Sequence, residues 1–182
     1  MREGSKVLPA LVAAAAVVGV GLVAVSAAGV PIGMRPPVEA DLRHEYRSLD
    51  EVAAASTDVA LVETSGSRTV PEHDGAVEAV YTRATVVSSD GGPLAAGDVV
   101  SIRQERGRYV NLAPVLREGA RYLVYLRPFE RAHGVPTEDH TVAGGQAVWL
   151  VRDGAGVRTT RESPLPRRVV VAGPDGELGV AS

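Results

Sequence analysis

The sequence contains no cysteine. That absence excludes disulfides, thiol catalysis, zinc–cysteine centres and a lipid-modified cysteine. Lysine is nearly absent as well, since Lys6 is the only one. Aromatic residues are few: Phe129, Trp149 and five tyrosines. A core must therefore be built from Val, Leu, Ile and Ala, each buried Val or Leu contributing about 1.5–3 kcal/mol. Net charge is −3, which argues against a nucleic-acid partner, because neutralising phosphates takes clustered Lys and Arg. The motifs of several enzyme classes are missing too. No G-x-S-x-G elbow, H-E-x-x-H helix or P-loop occurs. Gly-Val-Gly at 19–21 lies inside an apolar run and is no dinucleotide fingerprint. No cofactor is implied.

What is present begins with that apolar run. Arg2 and Lys6 precede Val7 to Ile32, and no further charge occurs until Arg35. A basic start followed by an apolar stretch is an export signal. Val25-Ser26-Ala27 supplies small residues for cleavage before Ala28. The run is nevertheless longer than the ~7–15 residues of a secretory core, and roughly 20 apolar residues span a bilayer as a helix. We therefore expect residues 1–32 to be a membrane anchor or signal peptide, with residues 7–30 in the membrane. The chain is then a single-pass membrane protein with an extracytoplasmic domain, or otherwise secreted. Pro36-Pro37 mark a stiff linker over residues 33–44.

Beyond the linker, Ser48-Leu49-Asp50-Glu51 has the form of a capping box and predicts a helix of two to three turns ending near Ser56-Thr57. Strand signals then dominate. Asp58 to Thr64 is a compact apolar run, broken by Ser65-Gly66-Ser67, and Pro71 to Gly75 reads as a loop tip. Val77 to Ser88 alternates, with Val80, Thr82, Ala84 and Val86 on one face and Tyr81, Arg83 and Thr85 on the other. Asp98 to Arg106 alternates again, with Val100 and Ile102 inward and Arg103 outward. The strongest signal is Gly119 to Phe129, GARYLVYLRPF. Tyr122, Val124 and Leu126 share one face; Leu123 and Tyr125 share the other and need a cover, from the Ser48 helix or the C-terminal segment. Pro128 is expected to end pairing, and Arg131 to Asp139 reads as a polar loop. Asp153-Gly154 predicts a hairpin turn. Strands without intervening helices point to a mainly β fold: a small OB-like, five- to six-stranded antiparallel barrel with one short helix, over residues 45–161. Residues 162–182 read as a tail with one weak strand.

The chain resembles a group of exported actinobacterial proteins of unknown function. The resemblance rests on the helix and first strand at Ser48 to Val62, on Thr82 to Val87, on EGARYLVYL at Glu118 to Leu126, and on GGQAVWLVRDG at Gly144 to Gly154. It covers most of residues 45–160. It implies an OB-type barrel, similar in outline to the inhibitory domain of tissue metalloproteinase inhibitors, and no catalytic residue. Glu63 and Ala147 stand where that group usually has glycine. The inhibitors' zinc-ligating N-terminal cysteine has no counterpart here.

Two clusters are candidates for chemistry. Arg103, Arg106, Arg108 and Tyr109 form the best basic–aromatic group, suited to an anionic cell-wall polymer or lipid headgroup. His133, Glu138, Asp139 and His140 supply two imidazoles and two carboxylates for a metal. Solvated surface is the simpler reading of each. We expect a non-catalytic, envelope-associated binding or interaction domain whose partner is an envelope protein or cell-wall polymer. One alternative is an inhibitor-like or accessory module docking through a barrel rim near Tyr109 or Phe129. The other is a metal-dependent enzyme using the His133–His140 segment.

Overall fold

The computed structural model describes residues 44–172 and 178–181. The apolar segment, the small residues expected to serve cleavage if it occurs, and the linker up to residue 43 lie outside these. Among the described residues no helix is long and apolar enough to cross a membrane.

The capping box forms. Helix α1 spans Leu49–Ala54, and the Ser48 hydroxyl accepts from the Glu51 N–H at 3.1 Å. The Glu51 carboxylate accepts in turn from the Arg47 N–H at 2.7 Å. At six residues the helix is shorter than its sequence suggests. Its last turn stops where the Ser56 hydroxyl bonds the Val52 carbonyl, and Thr57 then joins the sheet by donating its N–H to Leu126.

The strands are β1 (Asp58–Glu72), β2 (Val77–Asp90), β3 (Val99–Glu105), β4 (Arg121–Ala132), β5 (Val135–Val142), β6 (Val148–Arg152), β7 (Ala155–Arg158), β8 (Arg168–Ala172) and β9 (Leu178–Ala181). They form one sheet in the order β1-β2-β3-β5-β4-β6-β7-β8-β9, and β1 also pairs with β4. That extra pairing closes β1, β2, β3, β5 and β4 into a ring. The expectation of wholly antiparallel strands fails at one seam: β3 and β5 are parallel, Ile102 opposite His140 and Arg103 opposite Thr141. The reason is connectivity. β4 and β5 are a hairpin, so β5 reaches β3 running in the same direction.

Tyr122, Val124, Leu126, Val62, Ala84, Val100 and Ile102 all belong to the buried core, as their alternation predicts. The segment between β3 and β4 is tied down from inside the ring. The Gln104 amide donates to Pro114 O and accepts from Leu116 N, while the Thr64 hydroxyl accepts from Ala120 N. Leu116 is thereby buried.

Both predicted breaks in strands are absent. Ser65-Gly66-Ser67 does not end β1, which runs on to Glu72 with register slips at Leu61/Val62 and Thr64/Gly66. Bulges absorb the glycine and bend the strand. Pro128 does not end β4; it lies opposite His140, with a register shift just beyond it. A bulge tolerates a residue that has no N–H to donate. The predicted loop Arg131 to Asp139 is instead a hairpin, Ala132 pairing with Val135 around His133-Gly134, where Gly134 takes the positive φ of 74° that the turn requires. Asp153-Gly154 makes its expected turn, with φ of 50° and 73°.

The described residues after 161 are part of the fold. β8 pairs with β7, and Leu165, Val169 and Val171 are buried in the core. Trp149 sits beneath them, fully buried, its indole N–H bonded to Pro166 O at 3.0 Å. It lies opposite Leu123 on β4, and its ring is 5.7 Å from that of Tyr125. Val52 of α1 belongs to the same cluster. Trp149 and the C-terminal strands cover the second face of β4, and α1 packs into the same core.

Candidate functional site

The far half of the β1–β2 hairpin extends past Glu63, where the β1–β4 pairing ends, and meets β3, with Glu72 bonded to Arg103. The slip at Thr64/Gly66 decides what it presents. Before the slip Thr64 pairs with core-facing Ala84; after it Gly66 pairs with Arg83. A one-residue slip exchanges the two faces of a strand. Gly66, Arg68, Val70 and Glu72 therefore share the outer face with Tyr81 and Arg83. Continuing onto β3, the register makes two rungs: Gly66–Arg83–Ser101 and Arg68–Tyr81–Arg103.

Arg103 holds the second rung. Its guanidinium donates from Nη2 to Glu72 Oε2 at 2.6 Å and from Nε to the same oxygen at 3.1 Å. Glu105 lies 3.4 Å away, and the guanidinium stacks over the Phe129 ring at 4.6 Å. The Tyr81 hydroxyl donates to the other oxygen of Glu72. Arg103 and Glu72 are little exposed, at 9% and 18% of their side chains. Hydrogen bonding from Arg103 holds the Glu72 carboxyl below its ordinary 4.5, outweighing burial. Burial works against the Arg103 charge, but the Glu72 carboxylate more than offsets it and the pKa rises. Burial, with Glu72 as acceptor, raises Tyr81.

A groove lies alongside this network in two sections. The first, about 620 Å³, is lined by residues including Ser65, Gly66, Ser67, Arg83, Val99 and Ser101. The second, about 420 Å³, includes Val70, Pro71, Glu72, His73, Phe129 and Arg131. Arg68, Tyr81 and Asp139 line both sections and form a waist between them. At that waist the Arg68 guanidinium lies over the Tyr81 ring, 4.5 Å from its centroid. Gly66 keeps the floor open, since a Cβ there would meet nothing within 4 Å.

The predicted basic–aromatic cluster does not assemble. Arg103 points away from the ring interior, as expected, but it is buried and ion-paired rather than solvated. Arg106 is exposed and 4.0 Å from Glu78. Arg108 is exposed, and Tyr109 is half-buried with its ring against the Gly107 backbone. None of the four lines the groove. The predicted metal ligands also separate. His133 is exposed in a turn, Glu138 is exposed on β5, and Asp139 lines the groove. His140 pairs with Ile102 across the β3–β5 seam. Burial lowers its pKa, and its Nδ1 is buried without a partner. Among the described residues no three His, Asp or Glu side chains come together as a metal-binding group.

The residues that line the groove were mostly missed as a site. Arg83 and Tyr81 were placed on the outer face by alternation alone. Arg68 gives no signal and Glu72 reads only as part of an exposed loop tip, because the slip that turns them outward is invisible without the partner strand. Comparison with protein-family models, characterised proteins and solved structures finds no match.

Proposed function

We propose that this chain is a non-catalytic binding domain of the cell envelope, held at or exported across the membrane by its N-terminal segment, and that its ligand lies in the groove over β2 and β3. The observation that carries the reading is the position of that groove. Its first section lies over Tyr81 and Arg83 of β2 and Val99 to Ser101 of β3, and its second runs from the end of β1 and His73 in the β1–β2 turn to Phe129, Arg131 and Asp139 on the β4–β5 hairpin. The strand circuit β1-β2-β3-β5-β4 with a parallel β3–β5 seam supports an OB-like barrel, and such barrels bind extended ligands across strands 2 and 3 between those two turns. The groove's side chains suit binding better than catalysis. Its best-placed carboxylate, Glu72, is committed to Arg103 and Tyr81. The export reading rests on Arg2, Lys6 and the apolar run that follows them.

A groove-filling variant tests the reading. Gly66→Trp places a large ring where there is open space, so the fold should persist. Full-length protein in detergent is applied to washed envelope material, and the retained fraction is measured for wild type and variant. Retention of wild type with loss for Gly66→Trp is the expected result. Equal retention of the two rejects the groove as the binding site.

A further inference from the structure

We infer that the groove takes a linear polyanion without aromatic bases, carrying carboxylate or phosphodiester groups along an extended chain. The inference rests on the binding reading above and specifies its ligand.

Charge is the first argument. Arg68, Arg83 and Arg131 line the groove and are exposed. Among the described residues, ion pairs engage Arg103, Arg106 and Arg121, and none engages these three. Glu72 in the lining is neutralised by Arg103 behind it. Asp139 at the waist is the only remaining carboxylate in the lining. Positive charge is thus concentrated in one groove of a chain whose net charge is −3. A guanidinium offers carboxylate or phosphate a bidentate pair of donors. Arg68 is already ordered by the Tyr81 ring, so less freedom is lost when it binds.

Shape is the second argument. The two sections share Arg68, Tyr81 and Asp139 in their linings, and a ligand that occupies both is a chain rather than a compact molecule. Arg83 serves the first section, Arg68 the waist and Arg131 the second. Arg68 and Arg83 are diagonal neighbours across β1 and β2, with Cβ atoms roughly 7–8 Å apart or slightly less. Two guanidiniums on neighbouring strands can each meet an anionic group of one extended chain.

The aromatics exclude bases. Single-stranded nucleic acid is held largely by bases stacking on open rings. Here Arg68 covers a face of Tyr81, which is otherwise buried, and Arg103 covers a face of Phe129. Hydroxyls from Ser65, Ser67 and Ser101 line the first section instead and suit a polyhydroxylated chain.

The test uses full-length protein with polygalacturonate and poly(glycerol phosphate) as probes. Dextran is the neutral control and oligothymidylate the base-bearing one. Binding to at least one of the two polyanions, weakening with salt and absent for dextran, is expected. Arg68→Gln and Arg83→Gln should each weaken it about tenfold or more, the size of one lost charge-assisted contact. Arg106→Gln, outside the groove, should leave it unchanged. Absence of polyanion binding at low salt, equal weakening by Arg106→Gln, or tighter binding of oligothymidylate overturns the inference. If Gly66→Trp abolishes envelope retention while Arg68→Gln and Arg83→Gln preserve it, the groove stands and the polyanion falls.

Discussion

Strands β4 and β3 each bury part of an outer face, and they do so by opposite chemistry. On β4 the outer face is Leu123 and Tyr125, covered by Trp149 and the strands beyond it. On β3 it is Arg103, covered by Glu72, Tyr81 and Phe129. The apolar cover gains from every area removed from water and does not depend on pH. The ionic cover holds only while Glu72 keeps its charge, and its attraction is offset by the cost of drying the two groups. The apolar side is closed, whereas the ionic side borders an open groove. The open groove thus lies beside the polar cover and away from the face stabilised by Trp149.

The sharpest way to break the comparison is to strike the interior that both covers depend on. Val124 is fully buried on the inner face of β4. Val124→Asp should abolish cooperative folding, because it buries an unpaired carboxylate. An unchanged thermal midpoint would show that the ring is not the core. Next, the two covers should differ in size and additivity. Trp149→Ala should cost about 3–5 kcal/mol in chemical denaturation. Glu72→Ala should cost about 1–3 kcal/mol by leaving Arg103 with only Glu105. The double variant Glu72→Leu/Arg103→Met should be more stable than Glu72→Ala, since it removes both charges at once. A double variant less stable than the single one would make the ion pair a net stabiliser.

Two glycines give a smaller contrast. A Cβ on Gly156 would lie 2.7 Å from Val169 and 3.1 Å from Trp149, so Gly156→Ala should cost about 1–3 kcal/mol by overpacking. Gly66→Ala, in open space on the groove floor, should change stability by no more than about 0.5 kcal/mol. Equal effects would erase the distinction between closed and open sides.

The smallest effect is titration. The folded-state pKa of Glu72 lies below its ordinary 4.5. Its contribution is therefore complete above the ordinary carboxylate range and is lost as pH falls through the lower, folded value. Acid should loosen the β1–β2 hairpin before it touches the Trp149 side. Amide exchange near Thr69 and Val80, compared with that near Leu150 over the same acid range, checks this. Simultaneous loss of protection in both regions would mean that the two covers are one cooperative unit.

Much of the fold was legible because its signals are local. The Ser48 capping box, the Asp153-Gly154 turn and the alternation of Val80, Thr82, Ala84 and Val86 each need only neighbouring residues. So does the face of β4 that carries Tyr122, Val124 and Leu126. The site was not legible in the same way. Arg103 reads as solvated because an arginine at an outward position usually is, and its burial depends on Glu72, which lies 31 residues away in sequence. Pro128 reads as a terminator because a missing N–H usually ends a ladder, and only the bulge facing β5 lets the strand continue.

The sequence by itself determined a mainly β domain, its capped helix, its tight turns and the inner face of each strong strand. Periodicity and turn chemistry act over a few residues and are written there directly. Only the tertiary structure decided which strands close the ring, that β3 meets β5 in parallel, and that a slip at Gly66 turns Arg68 and Glu72 outward. Those outcomes follow from register between distant strands. A single extra residue in one strand exchanges its faces, and only the partner strand reveals where that residue is inserted.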